Sequence, residues 1–472
     1  MKTNNPTGIY LRLLPAALLL MTCPLAGQDE EGEEPVYDLS PFEVSTERQY
    51  GYRAGTSVSG TRIAAEVRQL PFSLAVVTDA LIDDMKVTDL EDAVRYAPGV
   101  QDNRDNLGNY GKFNVRGIQQ TYSLRNGFRR YGPNDTSAAA QVELVKGPAG
   151  LLYGQVFPGG VVNVVTKKPL TIPNYEVEFR YGNYGSYRVS TDLGGPLNES
   201  KTLNYRLISA YEDWDSFVQF YGRRIKTLVP TLEWRPTAWL KFTVEVERYI
   251  REERAPHAGM LAINKEELAQ AVANPEDPFG VVDGPFNSRV VRSQEFTGLA
   301  TYLPRNFNTN GPGTYNHYDS YTYNLYTDIT PTDWLSFRSV LLYYDYDKEY
   351  YANFVNNTMR SGVDFRSRAN MSRSGNKVFQ TQNDFSLQFT TGPVDHQILI
   401  GGEYYRDHFA SAGAAERPST PDANTQYVRL PNPYDITREW ALEFRFINPI
   451  LDFSRSPRPE NLRELDTNGN RE

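Results

Sequence analysis

From residue 173 onward the chain alternates apolar and polar residues, and this pattern limits the fold more than any other feature of the sequence. In the segment 175–181, aromatic residues and valine hold the odd positions, and Glu or Arg lies between them. The alternation recurs in the segments 203–207, 240–247, 321–325 and 439–446. A period of two places alternate side chains on opposite faces of a β-sheet. Because charged residues occupy the second face, we expect that face to contact water.

Two architectures satisfy this alternation: a transmembrane β-barrel with a polar lumen, and a soluble antiparallel sheet with one wet face. The connections favour the barrel, because outer-membrane barrels alternate short periplasmic turns with longer outside loops. About ten strands fit between residues 173 and 452. Short connections are predicted at 195–200, 235–238, 330–333 and 392–395, and long ones near 250–317, 347–375 and 409–435.

Two of the short turns share a tryptophan at the same position. Trp239 and Trp334 each follow a Pro-Thr pair by two residues. This position suits an aromatic belt at a membrane interface. Packing in a protein core is the alternative for either residue alone, but the shared position favours the belt.

Residues 1–27 predict a secretory signal peptide. Lys2 and Arg12 give it a positive start, and the apolar run 13–21 is too short to cross a membrane as a helix. The single cysteine, Cys23, lies in this segment, and a lipoprotein anchor at Cys23 is the alternative. If cleavage follows residue 27, the mature chain has no cysteine and forms no disulfide.

The composition argues against other classes of protein. The mean hydropathy of −0.54 is too low for a helical membrane protein, whereas a barrel tolerates it because only alternate residues face lipid. The formal net charge is −9 and no cluster of Lys or Arg stands out, so we expect no nucleic-acid partner. No set of nucleophiles, paired carboxylates or histidines suggests chemistry. We therefore expect no enzyme activity, no cofactor and no metal site.

Four sequence blocks precede the alternating region, at 70–78, 89–100, 113–118 and 142–169. They read LPFSLAVVT, DLEDAVRYAPGV, FNVRGI and a stretch that begins VELVKGPAGLLYG. In this order and spacing they resemble the plug domain of TonB-dependent receptors. Within that family, the sequence looks most like siderophore receptors. From Val87 to Tyr96, the helical spacing of Val87, Leu90 and Val94 predicts a helix that ends before Pro98-Gly99.

The resemblance implies the fold: a mixed α+β plug domain followed by an antiparallel transmembrane β-barrel. We predict a leader over 28–48, the plug over 49–170 and part of the barrel over 173–472. Barrels of this family have 22 strands, so the roughly ten predicted here would leave the barrel incomplete. A smaller closed barrel is the alternative.

The resemblance also implies the function, which is TonB-dependent active import of a scarce ligand across the outer membrane of a Gram-negative-type cell. A ferric siderophore is the first expectation, and cobalamin, heme and oligosaccharide are the alternatives. The partners are then TonB with its inner-membrane energising complex, the cargo and outer-membrane lipid. A passive porin or adhesin is a further alternative, but neither needs a plug.

The leader contains the segment 39–46, where the family keeps its TonB box. Such a box adds a strand to the edge of TonB's sheet through backbone hydrogen bonds. A plain linker is the alternative. The predicted TonB-binding residues are Pro41, Phe42, Glu43, Val44 and Ser45.

Two further groups of plug residues are predicted to matter. Closely spaced glycines permit positive φ and close backbone approach; a phosphate loop would need a Gly-Lys-Ser/Thr ending, which is missing. By the family pattern Arg116 and Glu143 pair with charges of the barrel wall, and an ion pair within the plug is the alternative. The predicted structural residues are Arg116, Gly117, Glu143, Lys146, Gly147, Pro148, Gly154, Gly159 and Gly160, and the predicted ligand contacts are Tyr110, Tyr122 and Arg125.

Overall fold

The computed structural model describes residues 42, 51–59, 65–70, 73–102, 112–147, 156–256, 262–263, 298–299, 306, 308, 310, 313–360, 364–415 and 428–429. The chain divides into two units, Met1–Leu39 and Ser40–Glu472, and every described residue belongs to the second. The predicted signal peptide and all of the predicted leader except Phe42 lie outside the described residues. Among the described residues, no helix is long and apolar enough to cross a membrane.

The first part of the described chain, from β1 to β10, forms a compact mixed α+β body, which we call the plug. A sheet of five strands lies at its centre in the order β3–β9–β10–β7–β8, with β7 and β10 parallel and the other pairs antiparallel. Two smaller sheets, β1–β2 and β4–β5–β6, flank it. The elements are β1 Thr56–Ser57, β2 Ala65–Glu66, β3 Ser73–Thr78, α1 Asp79–Met85, α2 Leu90–Val94, β4 Val100–Asp102, β5 Phe113–Val115, β6 Ile118–Gln120, β7 Ser123–Arg125, β8 Phe128–Arg130, β9 Ala139–Lys146 and β10 Gly160–Thr166.

The two helices of the plug cover one face of its central sheet. Thr78 caps α1 by accepting a hydrogen bond from the Leu81 backbone N–H at 3.3 Å, as Thr before a helix commonly does. Leu90 and Val94 of α2 are fully buried in the main core, together with residues of β5, β9 and β10. The predicted helix is therefore present, but it is shorter than its apolar spacing suggested.

Nine strands after the plug form a second sheet, which we call the wall. They pair in chain order, and every neighbouring pair is antiparallel. Among the described residues β11 and β21 do not pair with each other, so these strands form an open arc. The strands are β11 Asn174–Tyr181, β12 Tyr187–Pro196, β13 Leu203–Asp215, β14 Gly222–Thr237, β15 Leu240–Arg254, β18 Tyr315–Thr332, β19 Leu335–Arg360, β20 Asp364–Thr391 and β21 Val394–Ala415, and the short strands β16 Ala262–Ile263, β17 Gly298–Leu299 and β22 Val428–Arg429 accompany them.

The two faces of the wall differ as the alternation predicts. On β14 the side chains of Leu228, Leu232 and Trp234 are exposed on the outer face, whereas Val229 and Glu233 are buried against the plug side. Outward apolar residues recur on the other strands, and inward positions are mostly polar. This is the arrangement of a barrel wall that faces lipid outside and polar groups inside.

All four connections at one end of the wall are short, whereas those at the other end range from three residues to the long connection between β15 and β18. Short turns of two to six residues join β12 to β13, β14 to β15, β18 to β19 and β20 to β21. The longest connection, between β15 and β18, lies at the opposite end. Trp239 and Trp334 are about half exposed in the short turns, a position that agrees with an aromatic belt. By the usual polarity of outer-membrane barrels, the short-turn end is periplasmic.

One predicted loop is wrong. The segment 347–375, predicted as a long connection, is mostly strand: β19 continues to Arg360 and β20 begins at Asp364. The two strands stay in register beyond the apolar band, from Ala352 opposite Asn370 to Asn356 opposite Arg366. A paired hairpin satisfies its backbone hydrogen bonds internally, so the strands extend without an apolar face to bury.

Candidate functional site

Buried ion pairs join the plug to the inner face of β15. Arg125 and Arg130, the last residues of β7 and β8, are 3% and 2% exposed. Arg125 pairs with Glu245 at 3.1 Å, and Arg130 pairs with Glu247 at 2.6 Å. Arg125 Nη1 also lies 3.5 Å from the Glu247 carboxylate. Because a buried charge without a partner is costly, these pairs fix the plug against the wall.

A second set of ion pairs has the opposite polarity. Asp135 of the plug accepts hydrogen bonds at 2.9 Å on both carboxylate oxygens from Arg188 Nη2 of β12. Asp89 accepts one from Arg223 Nη1 of β14 and one from Arg251 Nη1 of β15, each at 2.7 Å. Asp89 and Asp135 are themselves joined by a backbone bridge. Two plug aspartates and three wall arginines thus form one buried cluster.

A cavity of about 360 Å³ lies between the plug and the wall, toward the end of the wall opposite the short turns. Its plug side comprises Lys112, Thr121, Tyr131, Gly132 and Pro133, and its wall side comprises Arg251, Asn316, Tyr318, Tyr346, Lys348, Ser374 and Phe409.

The cavity lining combines positive charge with aromatic surface. Lys112, Arg251 and Lys348 contribute cations, and no Asp or Glu belongs to the lining that the structure describes. The rings of Tyr318 and Tyr346 stack with centroids 5.4 Å apart, and the Tyr318 hydroxyl donates to the Tyr131 carbonyl at 2.6 Å. Such a surface suits a ligand that carries negatively charged oxygens and flat apolar groups.

Neither of the predicted ligand contacts that the structure describes, Tyr122 and Arg125, lines this cavity. Tyr122 is buried behind it, with its ring 5.7 Å from that of Tyr131 and 5.0 Å from that of Phe157. Burial raises the pKa of the Tyr122 phenol. Arg125 is not placed to meet a ligand, because its guanidinium is buried in the plug–wall pairs described above. Tyr110 lies outside the described residues.

The predicted structural residues occupy the turns and the interior of the plug. Arg116 and Gly117 form the tight turn between β5 and β6, with φ of 50° and 78°, and Arg116 is exposed. Gly147 has φ of 106°, and Lys146 before it ends β9 half-buried, opposite Gly160 of β10. Pro148 and Gly154 lie outside the described residues.

Glu143 lies inside the plug, and the structure shows its hydrogen bonds going to plug residues. Its carboxylate accepts from the Ser59 backbone N–H at 2.9 Å and from the Ser59 hydroxyl and the Gln141 amide. Burial raises the pKa of Glu143, and the hydrogen bonds from Ser59, Ser57 and Gln141 oppose this rise. Neither predicted pairing, with a wall charge or with Arg116, is among the contacts that the described residues show for Glu143.

Phe42 is the one predicted TonB-binding residue that the structure describes, and it is buried near the short-turn end of the wall. Its carbonyl accepts a hydrogen bond from Arg338 Nη1 at 2.7 Å, and the Arg338 guanidinium lies 5.2 Å from the centre of its ring. Arg338 is also paired with Asp328 at 2.5 Å. Pro41, Glu43, Val44 and Ser45 lie outside the described residues. Within the described chain, no group of His, Cys, Asp and Glu is arranged to hold a metal ion.

The important residues that sequence reasoning missed are inward-facing side chains of strands. Arg251, Tyr318 and Tyr346 lie at polar-face positions of β15, β18 and β19, and the alternation predicts only that this face contacts water. A signal was present, because Tyr344, Tyr346 and Lys348 repeat at two-residue spacing on one face of β19.

A plug of mixed structure inside an arc of strands with an apolar outer face defines a plugged β-barrel of the outer membrane. The model of the TonB-dependent Receptor Plug Domain matches residues 66–161. Residues 66–161 are therefore a plug domain of the TonB-dependent receptor type, and the proteins that the chain resembles include outer-membrane receptors.

Individual relatives agree with this assignment. The chain is 28% identical over 408 residues to a metal-pseudopaline receptor of Pseudomonas aeruginosa. The aligned region covers 84% of this chain and 50% of that receptor. It is 32% identical over 202 residues to the ferripyoverdine receptor of the same species, covering 40% of this chain and 24% of the relative. The chain thus spans about half the length of the first of these relatives.

Solved receptors share the fold. The pyoverdine outer membrane receptor of P. aeruginosa bound to pyoverdine superposes with a TM-score of 0.68 at 18% identity, covering 86% of this chain and 56% of that one. The ferric preacinetobactin receptor of Acinetobacter baumannii gives a TM-score of 0.66 at 17% identity, covering 82% and 54%.

Proposed function

We propose that this chain takes part in the TonB-dependent import of a ferric siderophore across the outer membrane. The cavity between the plug and the wall carries the proposal, because it lies toward the predicted outer end and joins three cations to a cluster of tyrosines. Its volume of about 360 Å³ lies within the range of small-molecule sites. Four relatives are named for metal-pseudopaline, ferripyoverdine, ferrichrome and ferrioxamine B.

The chemistry of the lining favours a ferric chelate over the alternatives. Iron(III) chelators bind through oxygen atoms that carry negative charge, and Lys or Arg side chains stabilise such charge in a partly dry site. Tyrosine hydroxyls donate hydrogen bonds to the same oxygens, and their rings pack against flat apolar parts. A neutral oligosaccharide would offer no charged group to the Lys112 and Lys348 side chains that line the cavity.

We propose that energy supplied through TonB moves the plug against the wall. The two sets of buried ion pairs resist this movement, because separating a buried pair without new partners costs about 3–5 kcal/mol. Cargo binding alone therefore does not open the path, and a pull from the periplasmic side is required. The domain division 1–27, 28–48, 49–170 and 173–472 remains our proposal; the end of β10 at Thr166 and the start of β11 at Asn174 support its last boundary.

We propose that the segment 41–45 binds TonB by adding a strand to its sheet. The position of Phe42 supports this, because it lies near the short-turn end of the wall, which faces the periplasm by barrel polarity. The Phe42 carbonyl is held by Arg338, so the leader must leave this contact before its backbone can pair with TonB.

Replacing Val44 with proline is expected to weaken TonB binding by about two- to tenfold, the value of one backbone hydrogen bond. Val44→Thr keeps both the N–H donor and the β-branched shape, and we expect it to bind like the parent. Fluorescence anisotropy of labelled leader peptides with purified TonB measures both. Equal affinity of the proline and parent peptides would show that the segment is a plain linker.

Growth under iron limitation tests the proposed function as a whole. A Gram-negative host without its own siderophore receptors would express the chain and receive ferripyoverdine, ferrichrome or ferrioxamine B as sole iron source. We expect growth with at least one of them, and none in a matched strain without TonB. Growth that does not need TonB would indicate a passive pore. Rescue of iron-limited growth only by heme, or rescue of a cobalamin-requiring host by cobalamin, would assign another cargo.

A further inference from the structure

Arg251 lies at the junction between the cavity and the plug. Its side chain is 1% exposed and belongs to the cavity lining. On its other side Nη1 donates to the Asp89 carboxylate at 2.7 Å, and Nε and Nη2 donate to Glu253 at 3.0 and 2.9 Å. A single guanidinium thus borders both the space for cargo and a buried carboxylate of the plug.

The carboxylate of Asp89 has two arginine partners, which contact it at the same distance but differ in their position relative to the cavity. Arg223 binds the second oxygen of Asp89 at the same distance of 2.7 Å, and it also binds Glu212 at 2.8 Å. However, Arg223 is not among the residues that line the cavity. The two arginines therefore make matched contacts with the plug, and only Arg251 can also meet cargo.

The plug itself offers the Asp89 carboxylate other hydrogen-bond donors, the backbone N–H groups in the first turn of α2. Asp89 directly precedes α2 with extended backbone angles, but its side chain makes no capping hydrogen bond to the helix. Asp at this position usually accepts from a backbone N–H of the first helical turn, whereas here the wall arginines hold the carboxylate. A carboxylate released from Arg251 can turn toward these N–H groups, so it need not remain buried without partners.

We propose that cargo and the plug share Arg251: an anionic group of the cargo competes with Asp89 for the guanidinium, and Asp89 then shifts toward α2. This inference rests on the proposed function, since it requires that the cavity holds cargo. Cargo binding would in this way loosen one of the plug's attachments before TonB acts. By linkage, weakening the Asp89–Arg251 contact must strengthen cargo binding by the same factor.

Cargo affinity is the first measurement, by titration calorimetry of the purified full chain in detergent with ferripyoverdine, ferrichrome and ferrioxamine B. We expect Arg251→Gln to lower the affinity for the bound chelate roughly tenfold, and Asp89→Asn to raise it several-fold. Arg223→Gln is the matched control: it removes an equal contact with Asp89 but no cavity cation, so it should not lower the affinity.

Opening of α2 is the second measurement. Ala93 of α2 is fully buried, and the chain's single cysteine lies in the predicted signal peptide, so Ala93→Cys gives a unique thiol whose labelling rate reports opening. Saturating chelate should lower this rate several-fold in the parent and in Arg223→Gln, because the released Asp89 carboxylate then caps α2. In Asp89→Asn the neutral amide can cap α2 already, so the rate should be low from the start and should not respond to chelate.

The outcomes separate the two proposals. If the parent binds none of the chelates, the proposed function fails and this inference fails with it. If the parent binds a chelate but Arg251→Gln and Arg223→Gln change its affinity equally, Arg251 acts only through plug structure and the sharing proposal alone is overturned. A chelate that binds without changing the labelling rate of Ala93→Cys overturns it as well.

Discussion

Replacing Glu247 with alanine should destabilise the plug within the wall by about 3–5 kcal/mol, the usual cost of removing one partner of a buried ion pair. Glu247 is 2% exposed and receives Arg130 at 2.6 Å and Arg125 at 3.5 Å. Alanine leaves Arg130 buried beside an aromatic ring, Tyr344, with no carboxylate on that side. The cost arises because the Arg130 guanidinium stays buried while the carboxylate that compensated its charge is gone.

Guanidinium-induced release of the plug measures this effect, with the thiol of Ala93→Cys as the reporter. Glu252→Ala is the control on the same strand: Glu252 lies on the outer face of β15, is 37% exposed and pairs weakly with Arg224 and Lys226 at 3.7 and 3.9 Å. We expect its replacement to cost less than about 1 kcal/mol. Equal losses for the two variants would mean that the inward ion pairs do not hold the plug.

The contrast between these two glutamates shows how far the sequence alone could predict the site. The alternation of β15 predicted two faces, and it correctly identified the apolar one as outward. It could not separate Glu247 from Glu245 or Arg251, because all three occupy polar-face positions of the same strand. Arg130, Arg125 and Asp89, which bind them from the plug, lie 117 or more residues earlier in the chain, and no local pattern records such a contact.

Arg125 of the plug shows the same limit of prediction from sequence, on the plug side of these ion pairs. Arg125 was predicted to meet cargo because it follows the Arg-Gly block, and a loop position was expected there. The structure places it at the end of β7, with the carboxylates of β15 directly opposite. The resemblance identified the domain, but the direction of one side chain depends on how the plug is rotated within the wall.

The requirement for glycine is local to the backbone, so a sequence can indicate it more directly than a contact between distant residues. The sequence indicated tight turns and close approach near 147–160, and the structure shows a reason at Gly160. This residue has φ of 140°. An added Cβ would lie 2.3 Å from the Val145 carbonyl oxygen and 3.1 Å from the Lys146 Cα. Strand β10 therefore begins where only a glycine leaves room beside β9.

Gly160→Ala is accordingly expected to destabilise the plug by about 3–5 kcal/mol. The strained φ contributes about 1–3 kcal/mol, and the clash with backbone atoms contributes a similar amount because backbone cannot turn aside as a side chain can. The same guanidinium titration measures this loss of stability.

Gly117→Ala separates the two causes, since Gly117 has φ of 78° but nothing within 4 Å of its added Cβ. Its replacement should cost only about 1–2 kcal/mol. If both variants lose the same stability, the close approach of β9 and β10 is not a constraint, and positive φ alone explains why glycine is needed.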